Sequence, residues 1–154
     1  MTGLWAQRLT VLRCALSLLV ARFLVRFIAF SRWRGSLGSV VEGQPAPGAA
    51  WPIPDPAQLR EALRIGRCVE RAAMRLPGES RCLPQAMALQ WAMIRSGIAS
   101  DLIIAIHAQD REAEHAYHAW VEHGDEILIG HCNPADYRRV LTITQGQGAP
   151  AAEG

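Results

Sequence analysis

The chain contains no lysine, so all 16 of its basic residues are arginines. Its four cysteines include no CxxC pair, which argues against the dense disulfide framework of small secreted domains. A net charge of +2 is too small to indicate a nucleic-acid partner. Acidic residues are absent from the first 34 positions. We therefore predict a cytoplasmic protein with reduced thiols and a basic N-terminal segment.

The 154 residues suit one small domain, and the 50% hydrophobic content is sufficient for a packed core. We divide the chain into four parts: an apolar, arginine-bearing helix in 1–34, a Pro/Gly-rich linker in 35–54, a catalytic-type domain in 55–145 and a flexible tail in 146–154.

The N-terminal segment is predicted to be one helix over residues 4–33. Arg22 and Arg26 interrupt its apolar run, and each would cost about 2.5–3.5 kcal/mol at the centre of a bilayer. Together with Arg8 they fall on one narrow stripe, which is typical of an amphipathic helix. Its apolar face must be covered by the catalytic domain, a partner protein or the inner membrane surface, and the sequence leaves these three open.

Two further helices and a sheet are predicted downstream. Asp55-Pro56 is a helix start signal and predicts a helix over 56–75. Ser80 is the expected cap of the next helix, which ends at Gly97. Strands are predicted at 101–106, 115–122 and 126–130, with a short fourth at 140–144. Helices followed by antiparallel strands predict an α+β fold.

Cys82 lies at the start of the helix that ends at Gly97. A helix N-terminus favours a thiolate, and its free N–H groups are suited to holding an oxyanion. The competing interpretation is a buried cysteine in an apolar helix, which is a common structural feature.

His118 lies on the second predicted strand, where alternation places Trp120 and Glu122 on the same face. A histidine beside Cys82 would hold the thiolate as an ion pair and later protonate a leaving amine. A strand-surface histidine without a catalytic role is the alternative. The pair indicates a cysteine protease or a transglutaminase-like enzyme, provided that folding brings the two side chains together.

Two other functions compete with catalysis. Zinc is one, because potential ligands are numerous late in the chain: His115, His118, His123, His131 and Cys132. The chain has no CxxC or HExxH motif, so we expect no metal and no other cofactor. The other is a non-catalytic membrane or partner scaffold built on the N-terminal helix.

Three segments together resemble a known family. They are Arg81-Cys-Leu-Pro-Gln-Ala-Met-Ala-Leu-Gln90, Ile94-Arg-Ser-Gly-Ile-Ala-Ser-Asp-Leu102 and His118-Ala-Trp-Val-Glu122. Their order and spacing resemble the B-type protein of lasso peptide biosynthesis in its stand-alone form, a transglutaminase-like leader peptidase. The resemblance covers residues 55–143 and extends to the apolar N-terminal helix.

The resemblance implies a papain/transglutaminase-like fold, in which a catalytic helix packs on a small antiparallel sheet. It implies that Cys82 is the nucleophile and His118 the general base and acid in removing the leader from a ribosomally made precursor peptide. It also implies two partners, a leader-binding recognition protein and an ATP-dependent lasso cyclase. The alternative reaction on the same pair is transglutaminase-like acyl transfer to an amine.

The third member of the family's triad is where this sequence departs from the pattern. The resemblance implies an acidic residue at the end of the third strand. In this sequence residues 129–133 read Ile-Gly-His-Cys-Asn there, without a carboxylate. We expect His131 to orient His118 in its place, with Asn133 as the alternative.

Overall fold

A computed structural model describes residues 2–42, 55–78, 81–109 and 116–145. The helices and strands in chain order are α1 (Thr2–Phe27), α2 (Phe30–Trp33), β1 (Ser39–Glu42), α3 (Pro56–Arg75), α4 (Cys82–Ser96), β2 (Ser100–His107), β3 (Tyr117–His123), β4 (Glu126–Ile129) and β5 (Tyr137–Gln145). The strands form one antiparallel sheet in the order β1-β5-β2-β3-β4. The predicted α+β class is therefore confirmed.

Helix α3 forms where its cap signal predicts. The Asp55 carboxylate accepts a hydrogen bond of 3.1 Å from the Ala57 N–H, and Pro56 is the first helical residue. A proline costs nothing there, because the first N–H groups of a helix have no intrahelical acceptor. The buried face of α3 includes Ile65, Val69 and other small apolar residues, and it packs against α1 and α4.

Helix α4 begins at Cys82 and ends before Gly97, whose φ of 65° is the left-handed conformation of a C-terminal cap. Arg81 precedes the helix with extended backbone and no side-chain cap hydrogen bond. The expected cap, Ser80, lies outside the described residues. Cys82 is therefore the first helical residue, with its sulfur in the turn where backbone N–H groups are unsatisfied.

Gln90, in the middle of α4, is fully buried and joins the helix to the sheet. Its amide nitrogen lies 3.1–3.3 Å from the carbonyl oxygens of Leu37, Ser100 and Ile143, and its own oxygen accepts the Ser100 hydroxyl at 2.9 Å. Buried polar groups are retained when such bonds are made. This network holds α4, and with it Cys82, in one position against the strands.

The N-terminal segment is not one continuous helix. Helix α1 ends at Phe27, and the short α2 follows after a break in which the Ile28 carbonyl accepts the Trp33 indole N–H at 3.1 Å. The break buries Trp33 in the core. Along α1, Cys14, Leu18 and Ala21 are buried, so this face of the helix packs against α3 and α4.

The outer face of α1 is apolar and exposed to solvent. Among the α1 side chains that the structure describes, eight large apolar ones are exposed: Leu9, Leu12, Leu16, Leu19, Val20, Phe23, Val25 and Phe27. Of the three partners considered for the apolar surface of α1, the rest of the domain thus covers only one side. Among the described residues, no helix combines the length and the apolar character needed to cross a membrane.

The segment expected to be a linker contributes a strand. Residues 39–42 form β1, which pairs with β5 from Ser39 opposite Thr144 to Glu42 opposite Leu141. This differs from the expected linker over 35–54, because Val40 and its neighbours find a partner at the edge of the sheet that the local sequence does not reveal. Residues 43–54 and the expected tail over 146–154 lie outside the described residues.

The predicted strands are present with shifted ends. Strand β5 covers Tyr137–Gln145 and is longer than the short strand expected, because it pairs along the whole of β2 through a bulge between Ile104 and Ala105. The predicted hairpin turn joins β3 to β4, and Gly124 adopts a φ of 61° there.

Candidate active site

The site forms at a free section of the edge of β3. Strand β4 pairs with β3 only from Val121 to His123, and it ends at Ile129. The preceding residues of β3, from Tyr117 to Trp120, pair with β2 on their other side. Helix α4 begins beside this edge, where the Ala119 N–H is free to donate to the Cys82 sulfur. The gap left by the short β4 thus brings the two elements together.

Cys82 and His118 are hydrogen-bonded to each other, and both are half-buried. Burial by itself raises the pKa of the Cys82 thiol, but the hydrogen bonds from His118 and the Ala119 N–H outweigh it. The net pKa of Cys82 therefore lies below its ordinary value. The Leu83 N–H, in the first turn of α4, lowers it further.

The pKa of the His118 imidazole shifts in the opposite direction, above its ordinary value. The hydrogen bond to Cys82 raises the pKa of His118 by more than burial lowers it, and the Gly130 carbonyl adds to the increase. A thiol that loses its proton more easily and an imidazole that holds its proton more tightly favour a thiolate–imidazolium ion pair. This is the form in which a cysteine is a nucleophile at neutral pH.

The Gly130 carbonyl orients the His118 ring. His118 Nε2 lies 2.8 Å from this oxygen, so Nε2 carries a proton and donates it to the carbonyl. The other ring nitrogen, Nδ1, is then the one left to face the Cys82 sulfur. An orienting acceptor fixes the tautomer and direction of a catalytic histidine, and here a main-chain oxygen occupies that position.

Only glycine fits at position 130. Its φ is 76°, and a Cβ atom built there would lie 2.5 Å from the Ala119 oxygen and 3.0 Å from the Trp120 Cβ. The missing side chain lets the chain leaving β4 approach β3 closely enough to present the carbonyl to His118. Gly130 was not among the site residues expected from the sequence, although a glycine at the end of a predicted strand was an available signal.

The two residues expected to orient His118 have other neighbours. His131 is exposed, and its Nε2 lies 4.0 Å from the Glu70 carboxylate on α3. Asn133 caps a 3-10 turn by accepting the Ala135 N–H at 3.3 Å. His118 Nε2 instead has the Gly130 carbonyl as its partner. Any role of His131 or Asn133 in catalysis remains a prediction.

Aromatic side chains support the imidazole from the side. The ring centroid of His118 lies 6.0 Å from that of Trp120 and 5.4 Å from that of Tyr137, with interplanar angles of 30° and 32°. Tyr137 reaches His118 across β2, where the intervening Ala105 has a small side chain. These contacts restrict rotation of the imidazole, and the role of Tyr137 was not visible in the sequence.

A partly buried ion pair holds Trp120 in turn. Its indole N–H donates to the Glu122 carboxylate at 2.6 Å, and Arg139 donates to both oxygens of that carboxylate at 2.9 and 3.0 Å. The expected shared face of His118, Trp120 and Glu122 is therefore observed. Arg139 joins this group of side chains from β5. Alternation along β3 could not predict it, because Arg139 belongs to a different strand.

No cluster of three or more potential metal ligands occurs in the part of the chain that the structure describes. His115, one of the ligands considered for zinc, lies outside that part. His123 lies apart from the thiol, with its Nδ1 2.6 Å from the Ala99 carbonyl.

The low pKa of Cys82 predicts selective alkylation. We expect iodoacetamide to modify Cys82 at a pH where Cys132 is still protonated, because burial and the nearby Glu122 raise the pKa of Cys132. Cys14 is a second internal control, since burial raises its pKa to about 12. The measurement is the rate of modification of each cysteine against pH, read by peptide mass spectrometry.

A His118→Ala variant sharpens that experiment. It removes the hydrogen bond and the positive charge that stabilise the thiolate, so the Cys82 profile should move to higher pH while the Cys132 profile stays in place. Equal pH dependence of the two cysteines in the unchanged protein would contradict the ion pair.

Comparison with known proteins identifies the family. The family model described as Transglutaminase-like superfamily matches residues 21–142, which is most of the 154-residue chain. Neither a curated protein nor a solved structure gives a significant match. A helix that begins at a cysteine, packed on an antiparallel sheet that carries the histidine, agrees with the family match. The chain belongs to the transglutaminase-like superfamily.

Proposed function

We propose that this protein is a cysteine peptidase that removes the leader from a ribosomally made lasso precursor peptide. The observation that supports it most directly is the hydrogen bond between Cys82 and His118 at the first turn of α4. Membership of a superfamily that includes cysteine peptidases and acyltransferases supports the reaction class. The lasso pathway rests on the resemblance of the segments around Cys82 and His118.

The reaction begins with attack of the Cys82 thiolate on the carbonyl carbon of the scissile peptide bond. Backbone N–H groups of the first turn of α4 stabilise the oxyanion that forms. The His118 imidazolium then gives its Nδ1 proton to the leaving amine, which departs as the new amino terminus of the core peptide. The C–N bond is broken, and the leader remains as a thioester on the Cys82 sulfur.

Hydrolysis completes the cycle. Neutral His118 takes a proton from a water molecule, and the resulting hydroxide attacks the thioester carbonyl. The C–S bond breaks, the leader leaves as a carboxylic acid, and the thiolate–imidazolium pair is restored. The Gly130 carbonyl keeps the ring aligned through both steps, since its hydrogen bond to Nε2 is compatible with either charge state of His118.

Two partners are part of the proposal. The family's longer members carry a winged-helix module that binds the leader, and this sequence has an apolar helix at the corresponding place. We infer that a separate recognition protein binds the leader and delivers the precursor to Cys82. An ATP-dependent cyclase then joins the new amino terminus to a side-chain carboxylate. All four cysteines are free, which supports a cytoplasmic location.

The test is cleavage of a defined precursor. Genes for a short precursor, a leader-binding protein and an asparagine-synthetase-like cyclase are expected beside the gene for this chain. The purified protein, incubated with that precursor and its leader-binding protein, should yield free leader and free core by mass spectrometry. An intact precursor under these conditions, with both partners folded, would contradict the proposal.

Acyl transfer is the second candidate, and the superfamily match supports it equally well. The thioester on Cys82 would then be attacked by an amine in place of water. Adding a primary amine such as cadaverine separates the two reactions, because a transferase yields a leader–amine conjugate and a peptidase yields the free acid. The third alternative, a non-catalytic scaffold, predicts no product in either case.

A further inference from the structure

A groove lies between the end of α1 and the start of α4. Its volume is about 860 Å³. The basic residues that line it are Arg22, Arg26 and Arg81, and the apolar ones include Phe23, Phe27 and Pro84. The end of α1 and the residue that precedes α4 thus place three guanidinium groups around this groove.

Among the described residues that line the groove, no carboxylate accompanies these positive charges. The ion pairs found in the described part of the chain involve Arg64, His131 and Arg139, and none of the three arginines of the groove. Like charges that converge without a counter-charge repel each other, so an anion bound between them would be stabilised.

Arg22 also has unused hydrogen-bonding capacity. Its Nη1 donates to the Pro77 carbonyl at 2.7 Å, whereas its Nε and Nη2 are buried without a partner. Buried N–H donors left unpaired cost stability, so Arg22 places an uncompensated positive charge in the wall of the groove. Arg26 and Arg81 are exposed, and a guanidinium can donate a pair of parallel hydrogen bonds to the two oxygens of a carboxylate.

The groove begins next to the reactive cysteine in the chain. Arg81, which lines the groove, directly precedes Cys82, and consecutive Cα atoms are about 3.8 Å apart. Exposed Phe23 and Phe27 add an apolar surface beside the arginines.

We propose that this groove binds an acidic side chain of the peptide substrate, close to the scissile bond and next to apolar residues. The inference rests on the proposed peptidase function and adds the substrate class to it. The carboxylate would be held by Arg26 and Arg81, near the positive charge of Arg22, and its binding would align the scissile carbonyl with Cys82. A lipid phosphate is the competing anion, and the position of the groove beside Cys82 favours the peptide.

The experiment measures binding independently of turnover. Two short fluorescein-labelled peptides are used, identical except that one has glutamate where the other has glutamine, each flanked by leucine and alanine. They are titrated against the full-length Cys82→Ala protein by fluorescence anisotropy. We expect the glutamate peptide to bind at least about tenfold more tightly, because only its carboxylate can form charge-assisted hydrogen bonds with the arginines.

Variants locate the effect. Arg26→Gln and Arg81→Gln should each reduce the preference for glutamate severalfold, and the double variant should nearly remove it. Both side chains are on the surface, so these variants avoid the fold risk of changing Arg22, which holds Pro77. Arg32→Gln is the matched control, because Arg32 is exposed on α2 and does not line the groove, and it should leave the preference unchanged.

Three results would overturn the inference. They are equal binding of the two peptides, a preference that persists in the double variant, and selective binding of phosphatidylglycerol vesicles that depends on Arg26 and Arg81 while the peptides show no preference. Failure of the peptidase proposal would look different, because the precursor would stay uncleaved while the glutamate preference of the Cys82→Ala protein remained.

Discussion

Cys82→Ala is expected to abolish cleavage of the precursor, with kcat falling by roughly 10⁵-fold or more. Alanine has no group that can form the thioester, and the rate that remains reflects only substrate binding and the oxyanion-stabilising N–H groups. The measurement is single-turnover cleavage followed by mass spectrometry. The unchanged enzyme should also show a transient adduct of leader mass on Cys82, which the variant lacks.

The fold should tolerate this substitution. Cys82 is half-buried, alanine is a good helix former, and the change removes one sulfur atom. We expect a change of about 1 kcal/mol or less in the free energy of unfolding, measured by urea denaturation. Cys132→Ala is the matched control, since this residue is also a half-buried free thiol near the sheet. The Cys132→Ala variant should cleave the precursor as fast as the unchanged enzyme. Cleavage that continues in Cys82→Ala would end the proposed mechanism.

Gly130→Ala is expected to lower kcat by roughly 10²- to 10³-fold, as general acid–base catalysis typically contributes 10²–10⁴-fold. The new Cβ would lie 2.5 Å from the Ala119 oxygen, so the chain must move and take its carbonyl away from His118 Nε2. The change therefore removes the group that orients the imidazole while Cys82 and His118 are both kept.

A pH profile distinguishes this positioning role from a general loss of stability. The Gly130 carbonyl raises the pKa of His118, so its loss should lower that pKa. The imidazolium then deprotonates at lower pH, and the alkaline limb of kcat/KM should move to lower pH. Loss of folded protein alone would reduce the amplitude of the profile without moving that limb.

Two controls accompany Gly130→Ala. Gly97→Ala places a side chain at a similar φ of 65° with nothing within 4 Å of the new Cβ, so it adds backbone strain without moving the site. His131→Ala is expected to lower the rate modestly without eliminating it, because His131 is exposed and next to Glu70. A larger loss in His131→Ala than in Gly130→Ala would assign the orienting role to His131.

Local chemistry was sufficient for several features of the fold. The Asp55-Pro56 signal predicted where α3 begins, Gly97 predicted where α4 ends, and the β-branched run at residues 101–106 predicted β2. Each depends on contacts within a few residues, which a sequence displays directly. The same holds for the shared face of His118 and Trp120, since side chains alternate along any strand.

Features that depend on contacts between distant segments could not be predicted from the local sequence. Strand β1 forms in a segment rich in glycine and proline because β5 offers it an unpaired edge. Tyr137 reaches His118 only across β2, and the arginine groove needs α1 and α4 side by side. A local sequence pattern does not indicate which strand edges will pair or which helix faces will pack together.

The sequence by itself predicted the candidate Cys–His pair and the class of fold, because a cysteine at a helix start and a histidine on a strand are local features. The tertiary structure alone decided that a main-chain oxygen orients the histidine. A carbonyl is present at every residue, and only the close approach of the chain at Gly130, where no side chain fits, gives one of them this position.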